Sequence, residues 1–123
     1  MKHEIEIQQI RKACEITRDG FKRVLKAMQP GVGEWEMEAE YCHEFIRQGS
    51  KGFAYSPIIG SGANANVLHY VENSARCKDG ELVLMDVGAE YANWNADMTR
   101  TIPVNGKFSP RQRDVYNLSL IHI

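Results

Sequence analysis

From Glu4 onward, apolar side chains return every three or four positions: Ile7, Ile10, Cys14, Thr17, Phe21, Val24 or Leu25, and Met28, with charged residues between them. That period predicts an amphipathic helix over about residues 4–28,. Pro30-Gly31 stops it, because proline lacks a donor and biases its predecessor away from helical geometry,. A second helix is predicted from near Glu34, where Glu34 and Glu36 suit the positive end of the helix dipole, to Gln48 before Gly49,. Its core-facing residues are expected to be Trp35, Ala39, Cys42, and Phe45 or Ile46. Residues 49–66, GSKGFAYSPIIGSGANAN, read as a loop, a strand from Tyr55 to Gly60 and a glycine-rich turn,. Two apolar runs, Leu82 to Val87 and Met98 to Val104, flank a short polar middle in the manner of a β-hairpin,. Ser109-Pro110-Arg111-Gln112 then starts a last helix: serine caps, proline takes the first helical position and glutamine completes the capping box,. The order helix, helix, strands, helix predicts an α+β fold, an antiparallel sheet with helices packed on it.

The hairpin carries the candidate chemistry. If it is symmetric about Tyr91 and Ala92, Asp86 and Asp97 face one another on neighbouring strands, with Cβ atoms roughly 4.5–5.5 Å apart,. Like charges directly opposite on a sheet are destabilising, so the pair calls for a shared proton, a neighbouring cation or a bound metal. Oxygen ligands on strands suit hard divalent ions, and two ions roughly 3.5–4 Å apart form the clamp of several hydrolases. His69, inside the run Val67-Leu68-His69-Tyr70, gains importance only if it faces that pair, while His3, His43 and His122 read as surface residues. Gly60-Ser61-Gly62 lacks the rest of any dinucleotide or phosphate-loop pattern, and nucleotide binding is not expected there,.

Composition narrows the field further. With 123 residues, 43% hydrophobic and 25% charged, the chain is at most one ordinary globular domain,. A formal charge of −1 argues against nucleic acid or an anionic membrane held by bulk electrostatics,. Cys14, Cys42 and Cys77 are odd in number and widely spaced, which fits reduced thiols in the cytoplasm rather than a disulfide framework or a zinc-thiolate site,. Neither a signal-peptide pattern nor a run of ~20 apolar residues is present in the sequence,.

Three stretches together resemble the catalytic domain of Xaa-Pro aminopeptidases, metallopeptidases of the pita-bread fold. They are Ser61-Gly62-Ala63-Asn64 through His69-Tyr70, Asp79-Gly80 through Asp86-Val87-Gly88 to Tyr91, and Asp97-Met98-Thr99-Arg100-Thr101 through Pro103 to Phe108. The resemblance runs from the first helix to about Tyr116 and implies a partial pita-bread fold with helices on one face of the sheet. It implies that Asp86 binds one of two divalent ions, most commonly manganese with zinc or cobalt as alternatives, and that Asp97 bridges both. It implies a catalytic His69 near the scissile carbonyl, stabilising charge that develops on its oxygen. Tyr55, Asn64 and Tyr70 are expected in the substrate pocket, and Arg100 beside the bridging carboxylate either orients it or forms a structural ion pair. The implied reaction removes the N-terminal residue of a peptide with proline in second position, through attack of a hydroxide held between the ions. A homo-oligomer is expected for the full-length protein.

The family's site also needs a histidine and two glutamates further on, yet no glutamate follows Asp97 here and only Asp114 and His122 stand as candidates. Residues 1–123 are therefore expected to be roughly the first half of a catalytic domain, inactive alone, with Leu118–Ile123 a non-native ending. Prolidase, acting on Xaa-Pro dipeptides, shares these features and stays open as an alternative. So does a non-catalytic pita-bread module that binds peptides or proteins, although such relatives typically lose metal ligands. A creatinase-like or methionine-aminopeptidase-like chain fits less well.

Overall fold

In a computed structural model of the chain, residues 1–121 are described. Helix α1 (Glu4–Ala27) and helix α2 (Glu34–Arg47) pack on one face of a three-stranded antiparallel sheet, ordered β1 (Ile58–Ser61), β2 (Leu82–Val87), β5 (Met98–Pro103). Beyond β2 the hairpin narrows into a two-stranded ribbon, β3 (Glu90–Tyr91) with β4 (Trp94–Asn95), before returning as β5. Helix α3 (Pro110–Ile121) closes the described chain, and its expected capping box forms: Ser109 N–H donates to Gln112 Oε1 at 2.9 Å and Gln112 N–H to Ser109 Oγ at 3.2 Å,.

The core lies between the helices and the sheet. Strand β2 alternates cleanly, sending Val83, Met85 and Val87 toward Ile16, Val24, Met37, Tyr41 and Phe45 while Leu82, Leu84 and Asp86 take the other face,. The helices are rotated relative to the expected stripes. In α1 the buried residues are Ala13, Ile16, Thr17, Gly20 and Val24, whereas Cys14 and Leu25 are exposed. In α2 they are Glu34, Met37, Tyr41, Glu44 and Phe45; Trp35 and Ala39 face outward, and Trp35 instead lies under the Arg76 guanidinium, 5.0 Å from its ring centroid,. Small residues explain the rotation of α1. A Cβ at Gly20 would come within 2.7 Å of the Phe45 ring and 2.9 Å of Tyr41, so the helices touch where a side chain is missing, which a search for large apolar residues overlooks,.

A carboxylate explains the rotation of α2. Glu34 is fully buried. Its Oε1 accepts from Ser61 N–H and Ser61 Oγ, both at 2.8 Å, and its Oε2 from Tyr70 Oη at 2.8 Å and Ala75 N–H at 2.9 Å. The glycine turn around Ser61 does cradle an anion, but that anion is the chain's own side chain. Val67 to Tyr70 is no strand, as it follows a 3-10 turn at Gly62–Asn66 in an irregular loop.

Two outcomes are expected from this packing. Gly20→Ala should lower unfolding stability by about 1–3 kcal/mol through overpacking, measurable in urea. Burial opposes ionisation of Glu34, yet its four short hydrogen bonds outweigh that and hold its pKa below the ordinary 4.5,. A depressed carboxylate stabilises the fold above its unfolded pKa and loses that contribution as pH falls through the folded value. The stability gap between wild type and Glu34→Gln should therefore be full at neutral pH and shrink below about pH 4, a trend that melting curves at successive pH values would check.

Candidate metal and catalytic site

The hairpin turns at Ala92 and Asn93, whose φ values of 52° and 66° are those of a type I′ turn,. This centre is one residue later than the sequence predicted, because neither position carries the glycine that marks such turns,. The partner of Asp86 therefore changes from Asp97 to Thr99, and Asp97 falls opposite Gly88. A shift of two positions keeps a side chain on the same face of a strand. Asp86 and Asp97 are thus diagonal rather than facing neighbours, roughly 7–8 Å apart by backbone, and both rise from the sheet face away from α1 and α2,.

What joins them is Tyr55. Its hydroxyl lies 2.6 Å from Asp86 Oδ1 and 3.0 Å from Asp97 Oδ1. Segment 52–54 delivers it: Ala54 N–H donates to Gly88 O at 2.8 Å, and Glu90 N–H to Gly52 O at 3.0 Å. Gly88 is what permits the approach, since a Cβ there would sit 1.8 Å from the Ala96 carbonyl oxygen and 3.1 Å from the Tyr55 ring. On the helix side, Thr17 Oγ1 accepts the Ala89 N–H at 3.0 Å and donates to Ala13 O at 2.8 Å, tying the same break in the hairpin to α1. Burial, then hydrogen bonds to the two carboxylates and their negative charge, push the Tyr55 hydroxyl well above the usual tyrosine range, so it stays a donor,.

The three oxygens are short of protons. A phenol carries one, and it has two carboxylates to serve. An oxygen-rich, proton-poor cluster suits a hard divalent cation, so the donor set fits the metal that the resemblance implies. It fits as part of a shell only: hard cations take six or more oxygen ligands, and among the described residues no three His, Cys, Asp or Glu side chains come together,.

His69 completes the cleft. It is exposed, with a left-handed φ of 54°, and it lines a cavity of about 390 Å³ with Tyr55, Ser56, Ile58, Val71, Asp86 and Asp97. The histidine inside the apolar run is therefore an exposed loop residue on the same cavity wall as the carboxylates. Asn64 and Tyr70, expected as substrate contacts, are elsewhere: Asn64 Nδ2 donates to Tyr70 Oη at 3.1 Å, and Tyr70 is buried against Glu34. Arg100 does not join the pair either; it sits across from Met85, on the opposite side of β5 from Thr99, and donates to the Thr99 carbonyl,. Asp114 is exposed on α3, His3 and His43 are exposed, and His122 lies outside the described residues. Sequence reasoning placed Tyr55 with the substrate and missed its link to both aspartates; no spacing signal joins position 55 to 86 and 97. Gly88→Ala should cost about 3 kcal/mol or more, since backbone rather than a flexible side chain must yield,. An unchanged urea midpoint would contradict the close approach.

Known proteins resemble this chain in sequence and fold. Residues 8–122 match metallopeptidase family M24. The chain is 45% identical over 115 residues to Xaa-Pro aminopeptidase of Escherichia coli (strain K12), covering 94% of this chain and 26% of that protein. Among solved structures, proline aminopeptidase P II from Yersinia pestis superposes with a TM-score of 0.95 at 45% identity, over 97% of this chain and 27% of that one. E. coli aminopeptidase P, solved zinc-substituted with product and also with the inhibitor Pro-Leu, superposes with a TM-score of 0.95 at 44% identity over 97% and 27%. The fold is thus the part of the pita-bread architecture that carries the aspartate hairpin, and the chain spans about a quarter of the length of these relatives. With a match running through nearly all of its residues, the chain belongs to metallopeptidase family M24.

Proposed function

We propose that this chain contributes the aspartate half of a two-metal centre to an aminopeptidase that removes the residue preceding a second-position proline. The observation that carries the reading is the convergence of Asp86 and Asp97 on one phenol hydroxyl in a cleft shared with His69. Divalent cations, manganese in our reading, supply Lewis-acid polarisation and a water acidified toward neutrality when bound. Asp86 would hold one of the cations, and Asp97 would be shared by both. Tyr55 fixes the orientation of both carboxylates through its single proton. His69 stands at the wall of the cleft, where an imidazole N–H strengthens its hydrogen bond to the substrate carbonyl as negative charge grows on that oxygen. The peptide enters the cleft from the open face of the sheet, since the other face is filled by α1 and α2.

Retention of both aspartates, with a tyrosine holding them, favours the enzyme over a non-catalytic binding module. Hard oxygen donors favour manganese over softer ions. The free thiols Cys14, Cys42 and Cys77 fit a reducing compartment, and on that ground we place the protein in the cytoplasm,.

Hydrolysis of an Xaa-Pro peptide in Mn²⁺ tests the proposal. The 123-residue chain purified alone should show no turnover, because two carboxylates do not complete a two-cation shell. A polypeptide carrying this chain within the full length of its relatives should release the first residue, and Asp97→Asn should lower kcat by at least about 10³-fold, in line with losses on removing a group that holds transition-state charge. Turnover that survives Asp97→Asn would overturn the reading.

A further inference from the structure

The loop between the 3-10 turn and β2 carries His69. His69 and Asn73 both lie in the left-handed region, with φ of 54° and 45°, uncommon outside glycine although histidine and asparagine enter it more readily than most,. Help for Asn73 is local: its Oδ1 accepts from Ile59 N–H at 3.0 Å, and its Nδ2 donates to Glu38 Oε2 at 2.9 Å and Pro57 O at 3.0 Å. His69 has none of its own, for among the described residues its imidazole makes no hydrogen bond, and its neighbours Val67, Leu68 and Val71 are exposed. The next residue is different. Tyr70 is 7% exposed, its hydroxyl donates to Glu34 Oε2 at 2.8 Å, and the same oxygen of Tyr70 accepts from Asn64 Nδ2 at 3.1 Å and Ser74 N–H at 3.4 Å. Glu34 also takes Ser61 N–H before the loop and Ala75 N–H after the histidine.

One carboxylate at the start of α2 therefore grips the entry, the middle and the exit of the segment that presents His69. We propose that Glu34 is a positioning residue: acting through the Tyr70 hydroxyl, it holds the adjacent His69 imidazole on the wall of the Asp86/Asp97 cleft. The importance of that placement for hydrolysis rests on the function proposed above, whereas the mechanical tie does not. Only a carboxylate meets the geometry. Four close donors approach Glu34 from both oxygens, and an amide in its place would turn an NH₂ group against one of those sets of donors,. Tyr70→Phe cuts the link more narrowly, because it deletes the hydroxyl and keeps the buried ring.

Histidine-ring ¹H–¹³C NMR and amide hydrogen exchange on the 123-residue chain, comparing wild type, Glu34→Gln and Tyr70→Phe, decide the point. The expected result is a shifted and broadened His69 Cε1 signal in both variants, with amide exchange over residues 67–73 at least tenfold faster. The His3 and His43 signals should stay as in wild type, and the protection of β2 and β5 should fall by less than that of the loop, reporting only the global loss of stability. An anchor with no special relation to His69 would instead lose protection in β2 and β5 by the same factor as in the loop, and that result overturns the proposal. So does an unchanged His69 signal in Tyr70→Phe, the variant that keeps the test decisive if Glu34→Gln fails to fold. A second arm adds Mn²⁺: broadening of the His69 ring signal that is strong in wild type and weaker in Tyr70→Phe supports placement over the aspartates. The loop exchange decides the role of Glu34 whether or not the partial aspartate shell of this chain takes up Mn²⁺, while the hydrolytic reading fails separately if full-length turnover survives Asp97→Asn.

Discussion

Two carboxylates held on one face of a sheet, with a single phenol proton between them, are the constraint around which this chain is arranged. Left in water the aspartates would separate; here the backbone of two strands prevents it. Such a cluster costs stability unless positive charge enters, and a protein keeps such a cost where it serves a site. The remaining features follow from the need to build it rigidly. Asp86 lies on β2 and Asp97 in the short break between β4 and β5, so their separation is set by the hairpin register, and a buried threonine on α1 secures the hairpin where its regular pairing breaks.

Gly88 and Tyr55 show how local sequence and long-range packing meet. The glycine lies opposite Asp97 in the hairpin register and lets the neighbouring backbone and an aromatic ring approach closer than any side chain would allow. The tyrosine arrives from a segment more than thirty positions earlier and pairs with both acids. Its hydroxyl is locked as a donor by the same negative charges that it serves. The opposite face of the sheet is filled by apolar side chains of α1 and α2, so the site is open to solvent from one direction only.

Much of this was legible in the residues. Period 3.6 located both long helices to within a residue or two, a continuous apolar run located β2, and Ser109-Pro110 marked the start of α3, because each of these signals depends on near neighbours in the chain. The hairpin centre was displaced by one position since Ala92-Asn93 lacks the usual glycine, yet the even period of a strand kept both aspartates on one face. The helix faces were misjudged where small or charged residues made the contact: Gly20 against Phe45, and Glu34 buried among donors that lie up to 41 positions away. Tyr55 between the acids, and Tyr70 with Asn64 on Glu34 rather than in the cleft, are products of tertiary folding with no local pattern to announce them.

The central claim is that the oxygens of Asp86 and Asp97 converge to hold divalent cations, and manganese-edge anomalous diffraction from crystals of the full-length protein grown with Mn²⁺ tests it most directly. Two anomalous peaks are predicted beside the carboxylates, one in contact with oxygens of both Asp86 and Asp97 and the other in contact with Asp97. A map whose peaks all lie away from these two side chains, with Tyr55 still bridging them unchanged, would contradict it.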